Sequence, residues 1–167
     1  MSGYFNLEKS FGFYGAFHSN HANKLIHMIC VPLIFISSIE LLLRIAPVMV
    51  VRAILLFYAV SFIKMHPLSG LLYIPVLSTY YWIASEWLVN WPDFSISLFT
   101  ISWIAQFVGH GLIEKRAPAL LTNLPQSLHA AVFFVWLETL FSFGLLKELE
   151  TRLLEAVKKA QQSRHFA

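Results

Sequence analysis

Residues 25–45 read LIHMICVPLIFISSIELLLRI, and this run decides what kind of protein the chain makes. Its formally charged side chains are Glu40 and Arg44 alone. A stretch of about 20 apolar residues is what an α-helix needs to cross a hydrocarbon core. Four more runs follow, at 47–63, 68–89, 94–113 and 128–146, each roughly 17–22 residues long and close to the same requirement. In lipid a separate segment must satisfy its own backbone hydrogen bonds, so each run reads as helix. The composition agrees. Hydrophobic residues make up 57% and charged residues 13% of the 167, against roughly 45–50% and about 25% in soluble domains. A soluble domain this small could not hide so much apolar surface. The predicted fold is a single all-α integral membrane domain over 1–167, a bundle of four to five transmembrane helices ending in an amphipathic C-terminal helix.

The breaks between runs carry residues that end helices. Pro47, Lys64-Met65-His66-Pro67, Asn90-Trp91-Pro92-Asp93 and Lys115-Arg116-Ala117-Pro118 bring proline together with polar or charged groups. Tyr80, Tyr81, Trp82, Trp87 and Trp91 gather toward one end of the third run, where an interfacial aromatic belt belongs. The net charge of +3 and the pI near 9.1 come from lysines and arginines clustered at helix ends. That is the positive-inside pattern, not a nucleic-acid footprint. With four crossings, one face receives Lys9, Lys24, Lys64, Lys115 and Arg116, and the other Arg44 and Arg52. The richer face is expected to be cytosolic.

Residues 1–24 hold no central apolar stretch, so they read as cytosolic or interfacial, with the first run as its own insertion signal. Past residue 146, Leu149, Leu153 and Val157 make an apolar stripe, and Glu148 with Arg152 and Glu155 with Lys159 fall at i,i+4. This tail, 147–167, reads as cytosolic. The run 128–146 is then a re-entrant or interfacial hairpin, and both termini lie on one side. The single cysteine, Cys30, sits in the first apolar run and cannot form an internal disulfide.

Two constellations carry polar chemistry. The first is FYGAFHSNHANKLIH, residues 13–27, which places His18, His21, His27, Asn20 and Asn23 at the threshold of the first run. A wet interfacial helix accounts for such residues as well as a binding site does. On one straight helix of 3.6 residues per turn, His18 and His27 point to opposite sides. They share a ligand only if the chain bends between them, and 20–23 is where a bend fits. The second is WIAQFVGHGLIEKR, residues 103–116. His110 and Glu114 lie at i,i+4 on one helix face, and Gly109 and Gly111 let another helix or a ligand approach His110. A glycine-rich packing surface with one hydrogen-bonded histidine is the bland explanation. Ionisable groups at membrane depth are costly, however, and point to function.

Four crossings separate the constellations, which puts His18, His27, His110 and Glu114 on one membrane face. Three imidazoles and a carboxylate with open positions suit non-haem iron(II) and equally suit zinc. His66, before Pro67, reads as a solvated loop residue. His129 and Glu138, nine residues apart, read as residues that each pack or hydrogen-bond separately, and His165 as part of the tail.

The patterns Phe-Tyr-x3-His-x-Asn-x2-Asn-x-Leu-Ile-His-x3-Val-Pro (13–32) and Trp-Ile-x-Gln-Phe-x-Gly-His-Gly-x2-Glu-Lys-Arg-x-Pro-Ala-Leu-x2-Asn-Leu-x-Gln (103–126) resemble the fungal 2-hydroxy fatty acid dioxygenase family of the endoplasmic reticulum. Leu7-Glu8-Lys9 and Phe134-Val135-Trp136-Leu137-Glu138 extend the likeness over about residues 5–146. That family uses iron(II) and O2 to remove one carbon from 2-hydroxy fatty acids during breakdown of the phytosphingosine long-chain base. The resemblance implies Fe(2+) held by His18, His27 and His110, with Glu114 a fourth ligand or a partner of one. His21 stands where the family usually has proline, so it is not implied as a ligand. The implied partners are a 2-hydroxy fatty acid, O2 and the lipid bilayer, with no nucleic acid, and the implied place is the endoplasmic reticulum membrane.

Such a substrate can chelate iron through its carboxylate and hydroxyl while O2 takes another open position. Lys24, Lys115 or Arg116 can hold the carboxylate by charge, so Glu114, Lys115 and Arg116 are the expected catalytic residues. A membrane haem protein and a non-catalytic membrane scaffold stay open at this point. A di-iron hydroxylase needs more clustered histidines than the seven in the whole chain.

Overall fold

The structure, a computed structural model, describes residues 5–18, 20–114 and 124–165. Its helices are α1 (Leu7–Phe17), α2 (His21–Ile45), α3 (Val48–Met65), α4 (Pro67–Trp82), α5 (Pro92–Val108), α6 (Leu124–Ser142) and α7 (Lys147–His165). Among the described residues there is no strand, and the chain is an all-α membrane protein as its apolar runs predict. α2, α3 and the stretch Pro92–Glu114 are each long and apolar enough to cross a bilayer. α4 has 16 residues and runs on through a π-helical turn, Ile83–Trp87, and a 3-10 turn, Leu88–Asn90. The helices belong to two compact units, Met1–Met28 with Phe107–Ala167, and Ile29–Gln106.

Within Ile29–Gln106, α3 and α4 form a tight hairpin. Pro67 opens α4 at a position where its missing N–H costs nothing, and the His66 side chain caps the helix by accepting from the Ser69 N–H at 3.3 Å. His66 is half-buried, so the expected solvated loop residue is instead a helix cap. Gly70 lets the helices meet, because a Cβ there would run into the backbone of Phe62 and Ile63. Tyr58, Phe62, Tyr73, Tyr80 and Phe35 pack ring against ring beside it. Glu40, the charge inside the first apolar run, is fully buried and paired with Arg44, whose guanidinium also donates to the Val89 carbonyl at 2.9 Å. Met49, Leu56, Ile101 and Ile104 remain exposed, as lipid-facing side chains should. Trp82, Trp87 and Trp91 are exposed as well, in keeping with an interfacial belt.

In the other unit, α1 packs chiefly on α7. The approach is close at two glycines: a Cβ on Gly12 would sit 2.9 Å from the Ala156 carbonyl oxygen, and one on Gly15 would overlap the Val157 side chain. Leu149 and Leu153 are buried, as the apolar stripe predicts. Arg152, which the spacing pairs with Glu148, lies 3.7 Å from Glu8 of α1 instead. The C-terminal segment is the expected amphipathic helix, docked on α1. α6 supplies the core of this unit through Phe133, Phe134 and Leu137, and Phe134 meets Phe11 edge-on at 5.2 Å. Gly144, in the left-handed conformation at φ 73°, ends α6 and turns the chain into α7.

Candidate metal site

The local folding begins with a broken helix. α1 stops at Phe17, and His18 takes a non-helical conformation at its C-terminus. Asn20 then turns the chain, its side-chain oxygen accepting the Ala22 N–H at 2.9 Å, and α2 starts at His21. The bend that a shared ligand requires is therefore present, just before the expected position. The third histidine comes from Gly109–Glu114, which is wound as π-helix, a geometry that recurs at functional sites because it re-aims side chains within a helix. Gly109 permits the approach of α2, since a Cβ there would overlap the Asn23 side-chain oxygen. Gly111 faces open space.

These elements bring three buried imidazoles together. His27 Nε2 lies 3.2 Å from His18 Nε2 and 3.1 Å from His110 Nε2, and one ligand atom from each ring falls within 4.8 Å of the others. The three rings meet nearly at right angles, with centroids 4.6–4.9 Å apart. The proton bookkeeping is decisive. His18 Nδ1 lies 2.8 Å from the Tyr14 carbonyl oxygen and His27 Nδ1 lies 2.9 Å from the Asn23 carbonyl oxygen. A carbonyl only accepts, so each Nδ1 carries the proton, and each neutral ring presents a lone pair at Nε2.

Two lone pairs facing each other at this distance repel unless a cation stands between them. Metal–nitrogen bonds of about 2.1 Å set neighbouring imidazole donors roughly 3.0–3.4 Å apart, which the two spacings from His27 match. The residues present fit a divalent metal ion. Burial favours the ligand form too: it holds His18, outside the spanning segments, at a pKa of about 3, helped by the neighbouring His27.

Glu114 is buried, but its carboxylate faces the bend rather than joining the three rings. Its Oε2 accepts from the Asn20 N–H at 3.1 Å and from the Asn23 side-chain amide at 3.3 Å. It thereby ties the π-helical turn to the start of α2. His21 is exposed at the first residue of α2, away from the cluster. His129 is buried in α6 and is not one of the converging rings. Lys24, one candidate for holding a substrate carboxylate, is paired with Glu138 at 3.0 Å. Lys115 and Arg116 lie outside the described residues, as does the side chain of His165. Cys30 is half-buried on α2, one turn past His27, and contributes nothing to the cluster.

Sequence reasoning singled out Asn23 and its neighbourhood but not the roles that Asn23 and Tyr14 play. Both hold their histidines through backbone carbonyls four residues earlier, and a backbone acceptor leaves no mark on residue type. Glu138 does hydrogen-bond apart from His129, as expected, but its partners could not be read from the sequence. The carboxylate accepts from the Tyr14 hydroxyl at 3.2 Å, a contact across 124 positions that no local pattern announces.

Residues 4–143 match a protein family described as 2-hydroxy-palmitic acid dioxygenase Mpo1-like. The 2-hydroxy-palmitic acid dioxygenase MPO1 of Saccharomyces cerevisiae is 37% identical to this chain over 158 residues, which cover 90% of this chain and 89% of that protein. No solved structure matches the chain.

Proposed function

The chain belongs to the Mpo1-like family, and from that premise we propose that it is a non-haem iron(II) dioxygenase that shortens 2-hydroxy fatty acids by one carbon with O2. The observation that carries this is the set of Nε2 lone pairs aimed at one point by two Nδ1–H bonds to backbone carbonyls. His18, His27 and His110 would hold the iron, an assignment favoured by their nitrogen-only, neutral character. When bound, iron(II) supplies the activation of O2 and the oxidation, which belong to the metal rather than to any side chain.

The chain's own part is to hold, orient and exclude. The two carbonyl bonds keep the His18 and His27 rings in one tautomer and one rotation, the arrangement that second partners of metal-bound histidines usually provide. Glu114 anchors Asn20 and Asn23, and so fixes the bend from which both of these histidines project. All three rings are buried, which keeps bulk water from the reacting centre. Three neutral ligands leave the positive charge of the ion uncompensated, and an anionic 2-hydroxy carboxylate is the substrate class that balances it. The apolar helices suit a bilayer, from which a long acyl chain can enter without crossing water. We place the protein in the endoplasmic reticulum membrane as one domain, with both termini cytosolic, and assign the basic pair Lys115 and Arg116 to steering the carboxylate.

The test is metal analysis of the purified chain beside an assay on 2-hydroxypalmitic acid. About one iron per chain, activity abolished by a chelator and restored by Fe(II) rather than Zn(II), and a shortened acid as product are expected. A visible haem spectrum, or full activity in metal-free protein, would overturn the assignment.

A further inference from the structure

We propose that Glu138 of α6 is a positioning residue: one buried carboxylate that ties together the two segments carrying His18 and His27. The proposal rests on the metal-site reading above and deepens it, because α6 contributes no ring to the cluster. Glu138 is only 9% exposed at its side chain and binds in two directions. Its Oε2 accepts from the Tyr14 hydroxyl at 3.2 Å, and its Oε1 lies 3.0 Å from the Lys24 ammonium. Tyr14 belongs to α1, one turn before His18. Lys24 belongs to α2, three residues before His27. A single side chain therefore takes a hydrogen bond from one ligand-bearing helix and a charge from the other.

Tyr14 is more than a distant anchor. Its ring stacks on the His18 imidazole with centroids 4.0 Å apart and planes 20° from parallel, and its carbonyl accepts the His18 Nδ1–H. The stack sets the plane of the imidazole, and the carbonyl bond sets its rotation. What remains free is a slide of Tyr14 itself, and the bond to Glu138 opposes that slide. The rest of the Tyr14 ring packs on Phe11 and Phe134, an apolar setting that would accept phenylalanine equally well. The hydroxyl and the carboxylate are thus surplus to packing. A buried carboxylate is costly to maintain unless both of its oxygens are engaged, and here each engages a different arm of the site.

The full-length chain in lipid nanodiscs, titrated with Co(II) and followed by its ligand-field absorption, tests this. Wild-type protein is expected to bind one Co(II). Glu138→Leu should bind more weakly, by up to about tenfold, the low end of what losing a direct histidine partner costs, with shifted absorption bands. Glu138→Gln keeps an acceptor for Tyr14 and should recover much of the affinity, while Tyr14→Phe keeps the stack and should fall with the leucine variant. A folded Glu138→Leu protein with wild-type affinity and bands overturns the proposal. Should that variant fail to fold, Tyr14→Phe decides: weaker binding with shifted bands supports the tie, and wild-type binding overturns it. Wild-type protein that binds no Co(II) overturns the metal site and the tie together, whereas wild-type binding with unaffected variants overturns the tie alone.

Discussion

At the scale of residues, the site turns on which nitrogen of each histidine carries the proton. Because carbonyls claim Nδ1 of His18 and His27, replacing any of the three rings removes a lone pair that nothing nearby can supply. His18→Ala, His27→Ala and His110→Ala should each lose bound metal and nearly all activity, read by metal content and turnover of 2-hydroxypalmitic acid. His21→Ala should keep both, since His21 is exposed at the start of α2. An empty site in His21→Ala with a full one in His18→Ala would refute the ligand set. The glycines flanking His110 make a second contrast. A methyl on Gly109 overlaps Asn23, but one on Gly111 meets nothing within 4 Å. Gly109→Ala should therefore lower metal affinity roughly tenfold, as loss of an outer partner does, and Gly111→Ala should be neutral.

Acid adds a third residue-scale expectation. The pKa of His18 is lowered from 6.5 to about 3, so unfolded chain takes up a proton below 6.5 that folded chain refuses until about 3. The stability that this difference contributes is full above 6.5 and is lost as pH falls from there toward 3. Metal-free protein should melt at a lower temperature at pH 4.5 than at pH 7.5, and His18→Gln should make that difference smaller.

At the scale of elements, two departures from regular helix create the site. The break between α1 and α2 turns His18 back toward His27, and the π-helical turn at Gly109–Glu114 presents His110 and Glu114 to different partners. α1 is too short to hold its place alone, since isolated helices under about 12–15 residues are marginal in water. It is held by α7, through Gly12 and Gly15. The obstacle opposite Gly12 is a backbone carbonyl, which cannot rotate away as a side chain can. Gly12→Leu should therefore destabilise the protein by about 1–3 kcal/mol, as overpacking does, and loosen the metal because α1 carries His18. Thermal unfolding and metal retention would show it. An unchanged melting temperature would mean that the α1–α7 contact does not hold α1 in place.

At the scale of the whole molecule, the chain leaves the cluster through α2 and comes back to it at the end of α5. His27 and His110 touch, so an even number of crossings between them is the expected topology. α2, α3 and Pro92–Glu114 are each long and apolar enough to span, and an even count would need a fourth crossing, for which α4 with its continuation to Asn90 is the proposed segment. α7 packs on α1, which places the C-terminal helix beside the N-terminal one, and α6 is one uninterrupted helix over Leu124–Ser142 rather than the expected re-entrant hairpin. Single cysteines introduced at Ser2, Thr122 and Lys159 on a Cys30→Ser background should all label from one side of sealed membranes, the cytosolic side. Labelling of any two from opposite sides would contradict the shared face.

The amino-acid sequence by itself determined the class of the fold, because lipid leaves an apolar run of 20 residues no alternative to helix. It also pointed to the candidate metal ligands: the family resemblance implies His18, His27 and His110, and helix geometry demands a bend between the first two. Only the tertiary structure decided that Glu114 turns to Asn20 and Asn23, that Glu138 joins Tyr14 to Lys24, and that residues 147–165 are a docked helix. These depend on contacts between residues far apart in the chain, from the 91 positions between Asn23 and Glu114 to the 124 between Tyr14 and Glu138 and beyond to those of α7 with α1. Periodicity and composition record what a residue is and where it lies along a helix; a carboxylate's partner is chosen by which helices meet, and that is settled only when they pack.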